Sequence, residues 1–289
     1  MQFFKSMKVQ KNKSLKEFTT FKIGGRAKYF IKAKTYDEIK QGFLFAKENN
    51  LKTFILGKGS NILFDDKGYF GLVIYNNINF LRISKTNVYV GAGYSFPALG
   101  VKTANNNLSG LEFAAGVPGS VGGAIFMNAS SYSQAVSDAI KSVVYLTLDG
   151  EIKILKKDDC NFEYRNSIFQ KMNGAILSSV FSLKQDENAK NRQLEIFQKK
   201  IKNQPMNEKN AGCIFKNPKN TSAKILIDEC SLKNYKMGGA IVSHVHPNFI
   251  INEKTATSKD VLDLMSHIKK VVKERKNINL REEVKVILP

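Results

Sequence analysis

Hydrophobic and polar positions along the chain predict short strands with a few helices between them. Residues 28–34 alternate between apolar and polar side chains, which is typical of a half-buried strand. Residues 35–38 have the form of a helix capping box, and apolar residues follow at helical spacing to about residue 50. Residues 258–276 carry a second helical pattern with one apolar face. Further strands are predicted at residues 53–56, 71–75, 88–90, 143–148, 151–155, 175–183 and 284–288, and a further helix at 192–202.

The order of these elements predicts an α+β fold with mixed sheets, because strands and helices do not alternate as a regular βαβ series. Asp149 and Gly150 stand between two predicted strands and predict a two-residue hairpin turn. The polar stretch at 184–190 is a candidate boundary, and the lysine-rich residues 1–18 are expected to form a loose arm. A length of 289 residues suggests two domains, with three small ones also possible.

The charge of the chain narrows its possible partners. Lysine and arginine number 45 against 25 acidic residues, and the net charge of +20 attracts nucleic acid, acidic membranes or phosphorylated small molecules. Only six of the basic residues are arginine, on which specific nucleic-acid readers usually depend. Solvated surface charge is therefore favoured over a nucleic-acid interface.

The numbers and positions of cysteine, histidine and apolar residues exclude several further classes of protein. The three cysteines are too scattered for a disulfide framework or a zinc ribbon, and His244 and His246 have no third ligand nearby, so no metal site is expected. No apolar run approaches the roughly 18 residues of a membrane span, and the N-terminus lacks the apolar core of a secretory signal. We expect a cytoplasmic protein that contacts no membrane.

Three glycine-rich segments follow predicted strands in the first half of the chain, at residues 57–61, 91–93 and 116–124. Glycine lets backbone amides approach a phosphate or a flat ring, so three such segments favour a large anionic cofactor over simple tight turns. The familiar nucleotide patterns are absent from the sequence. The first two segments lack the third glycine of G-x-G-x-x-G and open no obvious helix, and there is no G-x-x-x-x-G-K-[ST]. A Rossmann site and a P-loop are therefore both disfavoured.

Reactive side chains cluster in the second half of the chain. Tyr164 and Arg165 precede a predicted strand, residues 211–218 present a thiol, an ammonium and an amide, and Glu282 and Glu283 precede the last strand. An arginine or lysine can bind carboxylate or diphosphate, and a thiol or carboxylic acid can deliver a proton. Each of these residues also has a structural interpretation. Arg165 could form a surface ion pair, Cys213 could be a small buried apolar residue, and Glu283 could be a solvated charge at a sheet edge.

Eight sequence motifs follow one another from Thr19 to Val286. They are TTFKIGGRA (19–27), LGKGSNILFDD (56–66), GAG (91–93), GLEFAAGVPGSVGGAIFMNAS (110–130), FEYRNS (162–167), AGCIFKNP (211–218), KILIDECSLKNYKMGGAIVSHVHPNFIIN (224–252) and LREEVKV (280–286). In this order they resemble the UDP-N-acetylenolpyruvoylglucosamine reductase family. The block at 110–130 and the turn at 211–218 are together highly specific, and the short gap between Asn128 and Tyr164 resembles the compact second subclass of the family.

The resemblance implies a two-lobed FAD-binding domain of the vanillyl-alcohol-oxidase type and a C-terminal α+β substrate-binding domain. We place the two lobes at residues 1–70 and 71–188 and the substrate domain at residues 189–289. The glycine turns would then hold the pyrophosphate and flavin of FAD, which explains why the Rossmann pattern is missing. The residues implied to bind FAD are Gly57, Gly59, Ser60, Asn61, Gly116, Pro118, Gly119, Ser120, Gly122, Gly123 and Ala124.

The reaction implied by the resemblance has two hydride steps in peptidoglycan precursor synthesis. NADPH reduces FAD, and the flavin then reduces the enolpyruvyl group of a UDP-sugar to give UDP-N-acetylmuramate. By motif position, Arg165 and Glu283 would stabilise negative charge on the substrate carboxylate. Tyr164, Lys216 and Asn217 would bind the substrate, and no oligomer is required.

Two positions depart from the family pattern. Cys213 stands where the family commonly has the serine that protonates the substrate carbon. A thiol, with an unperturbed pKa of about 8.5, gives up a proton more readily than a hydroxyl, and it stays protonated near neutral pH unless a neighbouring cation lowers that pKa. We hypothesise that Cys213 is the donor. Glu282 stands where the family often has proline, which leaves Glu282 as an alternative to Glu283.

Two other functions stay open at this point. One is an FAD oxidoreductase of the same fold that uses a different electron acceptor. The other is a basic nucleic-acid-binding protein, which would purify without the colour of a flavin.

Overall fold

The chain divides into two compact units in a computed structural model that describes residues 8–289. The first seven residues of the predicted arm lie outside this range. The first unit contains residues 8–11, Tyr29–Lys58 and Gly71–Lys200, and the second contains Asn12–Lys28, Gly59–Phe70 and Ile201–Pro289. The three-part division at residues 70 and 188 stays a prediction.

The strands, in chain order, are β1 (Gln10–Ser14), β2 (Arg26–Ala33), β3 (Thr53–Leu56), β4 (Ile62–Phe64), β5 (Tyr69–Asn76), β6 (Leu81–Ser84), β7 (Asn87–Gly91), β8 (Leu108–Ser109), β9 (Ser130–Ser131), β10 (Gln134–Ala135), β11 (Ile140–Thr147), β12 (Ile152–Lys156), β13 (Gly174–Ser182), β14 (Lys184–Gln185), β15 (Asn210–Cys213), β16 (Lys236–Met237), β17 (Ala240–Val242), β18 (Phe249–Asn252) and β19 (Lys285–Ile287). The α-helices are α1 (Tyr36–Glu48), α2 (Phe96–Ala104), α3 (Val121–Phe126), α4 (Val136–Ala139), α5 (Ala189–Asn203), α6 (Ala223–Glu229) and α7 (Ser258–Lys276). Short 3₁₀ segments lie at Lys16–Phe18, Glu112–Gly116, Lys157–Cys160 and Ile168–Gln170. Within residues 8–289, we find no helix with the length and apolar content needed to cross a membrane.

Capping residues fix the starts of α1, as predicted, and of α7, where no cap was predicted. Thr35 Oγ1 accepts a hydrogen bond from the Glu38 amide at 3.1 Å, and the Glu38 carboxylate accepts one from the Thr35 amide at 3.3 Å. Thr257 and Asp260 form the same reciprocal pair before α7. Each helix buries one apolar face, which confirms the predicted pattern.

The first unit contains a five-stranded antiparallel sheet of order β12-β11-β13-β7-β6. A second sheet has the order β1-β2-β5-β3, and its β3–β5 pair is parallel. The core beside the five-stranded sheet includes Phe96 of α2 and Phe113 of the 3₁₀ segment, whose rings meet edge to face at 5.7 Å. This contact anchors the segment that leads into the glycine turn at residues 116–124.

The second unit contains a four-stranded antiparallel sheet of order β15-β18-β17-β16 and a parallel pair formed by β4 and β19. Its core includes Ile214 and Phe215, which follow β15, together with Val261 and Ile268 of α7. The mixed sheets of both units confirm the α+β class. The buried residues after β15 fix the backbone of the segment that carries several predicted site residues.

The structure corrects three local predictions. The connection between β11 and β12 spans residues 148–150, because the Thr147 amide donates to the Glu151 carbonyl, and Gly150 takes a φ of +86°. Part of the predicted loose arm is ordered, since β1 lies within it. The segment beginning at Gly91 does open a helix, because Ser95 caps α2.

Candidate functional site

The glycine turn at residues 116–124 leads into helix α3. Ser120 caps this helix, and its Oγ accepts a hydrogen bond from the Gly123 amide at 3.3 Å. The amides of the two residues after Ser120 donate to carbonyls of the segment 92–94, at 3.0 and 2.8 Å. The amides of residues 121–123 are therefore used within the protein. Any anion-binding amide of this turn must precede Val121.

Two glycines that the sequence predicts to bind FAD have different surroundings. A Cβ on Gly57 would lie 2.3 Å from Ser120 Oγ, so a side chain there would push this hydroxyl out of its capping position. Gly123 differs, because a Cβ there would meet only Ser120 Oγ at 3.4 Å. Gly123 lies inside α3, where alanine is the better helix former. The described residues therefore leave space beside Gly123 that a ligand could occupy.

Replacing Gly123 with alanine tests this assignment. We expect the apoprotein to keep or gain thermal stability, because alanine stabilises a helix interior by about 0.5–1 kcal/mol relative to glycine. FAD affinity should fall at least about tenfold, equivalent to 1.4 kcal/mol, because the methyl group occupies the cofactor's space. The measurements are thermal unfolding of the apoprotein and FAD titration by fluorescence.

Gly57→Ala is the matched comparison for Gly123→Ala. Its clash with Ser120 lowers the stability of the apoprotein as well as FAD affinity. Wild-type FAD affinity in Gly123→Ala would show that the cofactor does not use the space beside α3.

Two buried charged residues that the sequence analysis missed support the glycine turn. Lys200, 4% exposed, donates from Nζ to the Gly116 carbonyl at 2.9 Å. Glu112, 1% exposed, accepts hydrogen bonds from the Gly110 amide at 2.7 Å and from Arg192 at 3.0 Å. Burial alone raises the pKa of Glu112, but its hydrogen bonds outweigh burial and lower that pKa overall.

Arg165 lies in a tight turn of the first unit. The backbones of Glu163 and Asn166 exchange hydrogen bonds at 3.1 and 3.2 Å, with Tyr164 and Arg165 between them, and Arg165 takes a left-handed φ of +54°. Arg165 Nη1 donates to Ser130 Oγ at 2.6 Å, and its guanidinium lies 5.2 Å from the centroid of the exposed Tyr164 ring. The guanidinium is therefore held in one direction, as carboxylate binding requires.

Asn61 and Glu283 lie on neighbouring segments of the second unit. Asn61 Nδ2 donates to the Glu283 carbonyl at 3.1 Å, and the Lys285 amide donates to the Asn61 carbonyl at 3.0 Å. Gly59, two residues before Asn61, has a φ of +62°, and a Cβ there would lie 2.2 Å from the Phe18 carbonyl oxygen. Glycine is therefore required in this turn, which the structure places beside the predicted catalytic glutamate.

Cys213 ends strand β15, and the residues after it pair with the segment that carries Glu283. The Glu283 amide donates to the Ile214 carbonyl, and the Lys216 amide donates to the Arg281 carbonyl, both at 2.8 Å. The Cys213 side chain is half-buried, whereas the other two cysteines of the chain are buried. Cys213 is therefore the cysteine best placed to reach a ligand.

Glu282 and Glu283 have different surroundings. Glu282 is exposed, and its Oε1 accepts a hydrogen bond from Lys269 Nζ at 2.7 Å. This hydrogen bond lowers the pKa of Glu282, which therefore stays ionised at neutral pH. Glu283 is half-buried and joined through its backbone to Asn61 and Ile214. Glu283 is therefore the less exposed of the two residues, and its role as the acid stays a prediction.

Lys216 and Asn217, the predicted substrate-binding pair, follow Cys213 directly. Asn217 Oδ1 accepts a hydrogen bond from the Ala223 amide, at the start of α6, at 3.1 Å. Lys216 lies near Lys285, which the sequence analysis missed. Burial lowers the pKa of Lys285, and the positive charge of Lys216 lowers it further. Glu283, Val284 and Lys285 alternate between charged and apolar side chains, as in a strand with one buried face. This alternation places Lys285 on the same face as Glu283 and could have predicted its position near the site.

His244 and His246 lie in the turn between β17 and β18. His244 is exposed, whereas the His246 ring packs edge-on against Phe249, with 4.7 Å between the ring centroids. Burial lowers the pKa of His246 to about 4, and the positive charge of Lys224 contributes to this shift. His246 Nδ1 is buried and has no hydrogen-bond partner in the part of the chain described above. Among the same residues, no group of three or more His, Cys, Asp or Glu side chains could hold a metal ion.

The half-buried His246 makes the free energy of unfolding depend on pH. Because its pKa is about 4 in the folded protein and about 6.5 in the unfolded chain, the unfolded chain takes up the proton first as the pH falls. The stabilisation is complete above pH 6.5 and is lost progressively toward pH 4. We expect a loss of about 2 kcal/mol from this residue by pH 5, measured as the free energy of unfolding in urea at pH 7 and pH 5.

The His246→Gln variant should show a shallower decline in stability between pH 7 and pH 5. His244→Gln is the matched control, because it removes an exposed histidine from the same turn and should leave the decline unchanged. Equal slopes in the wild type and His246→Gln would contradict the assignment.

Comparison with known proteins defines the class and then the family. The family profile described as "FAD binding domain" matches residues 27–156, and the one described as "UDP-N-acetylenolpyruvoylglucosamine reductase, C-terminal domain" matches residues 204–287. The chain is thus a flavin-dependent oxidoreductase.

The chain aligns with relatives of known name along nearly their full length. The chain is 47% identical to the UDP-N-acetylenolpyruvoylglucosamine reductase of Protochlamydia amoebophila, covering 96% of this chain and 93% of that protein. The chain is 41% identical to the protein of the same name from Chlamydia muridarum, covering 96% of this chain and 94% of that protein. The crystal structure of UDP-N-acetylenolpyruvylglucosamine reductase from Thermus caldophilus superposes with a TM-score of 0.83 at 33% identity, covering 98% of this chain and all of that one. The chain belongs to the UDP-N-acetylenolpyruvoylglucosamine reductase family.

These comparisons confirm the family resemblance, the fold class and FAD as cofactor. The roles of individual site residues stay predictions. The structure brings Cys213, Lys216, Asn217 and Glu283 together in the second unit, on two paired segments. It places Tyr164 and Arg165 in the first unit, where Arg165 donates a hydrogen bond to Ser130.

Proposed function

We propose that this chain reduces UDP-N-acetylenolpyruvoylglucosamine to UDP-N-acetylmuramate, with NADPH as the source of hydride, in peptidoglycan precursor synthesis. The observation that carries the proposal is the 47% identity to the Protochlamydia amoebophila reductase over 96% of the chain. The pairing of the Cys213 and Glu283 segments supports it, because a proton donor and an acid are the groups that this reduction needs. Since NADPH and UDP-sugars are soluble metabolites, we expect the reaction to take place in the cytoplasm.

We assign FAD to the glycine turns. The residues that would hold it are Gly57, Gly59, Ser60, Asn61, Gly116, Pro118, Gly119, Ser120 and, at the start of α3, Gly122, Gly123 and Ala124. When bound, FAD supplies hydride transfer, from NADPH to itself and then to the substrate. The chain's own contribution is to bind and orient the two substrates and to manage charge and protons.

The substrate step adds a hydride to the terminal carbon of the enolpyruvyl double bond and a proton to the neighbouring carbon. Negative charge then develops on the substrate carboxylate, where the Arg165 guanidinium can form charge-assisted hydrogen bonds. Glu283, as an acid or hydrogen-bond donor, stabilises the same charge. Cys213 gives its thiol proton to the carbon next to the carboxylate, and the thiolate regains a proton from solvent.

Lys216, Asn217 and Tyr164 would bind the remainder of the substrate. The nearby Lys285 adds to the positive charge around Lys216, which suits a substrate that carries a diphosphate and a carboxylate. The net charge of +20 favours all three anionic ligands in the same way.

Two successive measurements test the proposed function. The purified protein should show a flavin absorption spectrum, and it should oxidise NADPH beyond one equivalent per flavin only when the enolpyruvyl UDP-sugar is present. If NADPH reduces the flavin but the enolpyruvyl sugar does not reoxidise it, the chain uses a different acceptor. A protein that takes up no FAD would contradict the cofactor assignment itself.

A further inference from the structure

Asn248 makes an unusual set of contacts for a residue outside the predicted site. Its side chain is 2% exposed. Its Oδ1 accepts a hydrogen bond from the Phe215 amide at 3.0 Å, and its Nδ2 donates to the Phe215 carbonyl at 2.8 Å. Its backbone carbonyl accepts a third bond, from the Ile214 amide, at 2.8 Å. Asn248 therefore holds both residues that separate Cys213 from Lys216.

Regular strand pairing does not hold this segment. Strand β15 ends at Cys213, which pairs with Phe249, and the register between β15 and β18 is already irregular before that point. The residues after Cys213 need other partners, because buried amides and carbonyls left unpaired cost about 1–3 kcal/mol each. Asn248 supplies these partners on one side, and the segment containing Glu283 supplies them on the other.

The chemistry of the side chain suits this position. A primary amide offers one acceptor and two donors in a plane, so it can pair with the amide and carbonyl of one residue as a neighbouring strand would. A carboxylate at the same place keeps the acceptor but loses the donor, and it sets a negative charge against the Phe215 carbonyl. Replacement by aspartate therefore changes the local backbone with almost no change in side-chain volume.

We propose that Asn248 is a positioning residue for the proton donor: by fixing the backbone of Ile214 and Phe215, it sets where Cys213, Lys216 and Glu283 stand relative to one another. The expected effect on reaction rates rests on the proposed function. The expected effect on the position of the Cys213 thiol does not depend on that function. Asn248 itself touches neither reacting atoms nor cofactor in this scheme.

Asn252 provides a matched control within the same unit. It is 5% exposed, its Nδ2 donates to the Phe21 carbonyl at 3.0 Å, and its Oδ1 accepts from the Ala256 amide at 2.9 Å. The two asparagines are thus both buried, and their side chains both bridge backbone amides and carbonyls. Neither Phe21 nor Ala256 is a predicted site residue, so Asn252→Asp reports the general cost of a buried carboxylate in this unit.

The kinetic test compares Asn248→Asp, Asn248→Ser and Asn252→Asp as FAD-loaded proteins. Flavin reduction by NADPH and flavin reoxidation by the enolpyruvyl sugar are measured separately by stopped flow. We expect both Asn248 variants to reduce flavin at the wild-type rate and to reoxidise it at least about tenfold more slowly, because a displacement of about 1 Å at reacting groups can cost up to about 100-fold. Asn252→Asp should lower the melting temperature without this selective loss. Equal slowing of both half-reactions, or the same selective loss in Asn252→Asp, would overturn the proposal.

A second measurement needs no assumption about the reaction. Iodoacetamide reacts with accessible thiols, and Cys160 and Cys230 are buried, so the alkylation rate of the folded protein reports Cys213. This rate should change severalfold in both Asn248 variants and stay at the wild-type value in Asn252→Asp. An unchanged rate in both Asn248 variants refutes the positioning role. A wild-type protein that the enolpyruvyl sugar fails to reoxidise refutes the proposed function instead.

Discussion

Replacing Cys213 with alanine is expected to slow flavin reoxidation by the enolpyruvyl substrate by about 10²–10⁴-fold, the usual cost of removing a general acid. Flavin reduction by NADPH should stay at the wild-type rate, because that step needs no proton from this thiol. The two rates are measured separately by stopped-flow absorbance of the flavin. The selective loss is expected because Cys213 is half-buried on a segment whose backbone is paired with that of Glu283.

Two further variants separate proton donation from packing. Cys213→Ser keeps an O–H donor at the same position and should stay active. Cys230→Ala removes a buried thiol from the same unit and should leave both half-reactions unchanged. If Cys213→Ala slows both half-reactions equally, the thiol supports cofactor binding or folding and does not donate the proton.

The surroundings of Cys160 show why a buried cysteine of this chain is not expected to donate a proton. Burial and the negative charge of Asp159 raise the pKa of Cys160 to about 11, and its Sγ lies against the Lys156 carbonyl at 3.2 Å. A thiol in these surroundings stays protonated and unreactive. The sequence could not distinguish the cysteines by burial, because nothing local to any of them reports it. Only the family resemblance singled out Cys213.

The elements that the sequence predicted well are those with local signals. Strand β3 and helix α7 have the predicted bounds, and α1 begins directly after Thr35, the first residue of the predicted capping box. A capping box lies within four consecutive residues, so its signal does not depend on the rest of the fold. Strand β1 escaped prediction because its sequence QKNKS is polar, and its strand character comes from pairing with β2.

The supporting contacts of the site could not be predicted in the same way. Arg165 and Ser130 are 35 residues apart in sequence, Asn248 and Phe215 are 33 apart, and Lys200 and Gly116 are 84 apart. Each of these contacts joins residues from different elements, so no periodicity or motif spacing reports it. Motifs identify the residue types that can do chemistry, whereas the residues that orient them emerge only from tertiary packing.

Glu283 and Glu282 offer the sharpest comparison of two adjacent carboxyl groups. Replacing Glu283 with glutamine should slow flavin reoxidation by the enolpyruvyl substrate by about 10²–10³-fold, the usual cost of losing one group that stabilises charge in the transition state. The backbone position of the residue should not change, because its pairing with Asn61 and Ile214 uses only main-chain atoms of Glu283. Flavin reduction by NADPH should therefore stay at the wild-type rate.

Glu282→Gln is the matched control, since it makes the same chemical change one residue earlier. Glu282 is exposed and paired with Lys269, and exposed ion pairs contribute at most about 1 kcal/mol to stability. Its variant should keep both half-reactions and lose little stability. Selective loss of reoxidation in Glu282→Gln, with normal rates in Glu283→Gln, would reverse the assignment and make Glu282 the acid. Normal rates in both variants would mean that neither carboxyl group stabilises the charge on the substrate carboxylate.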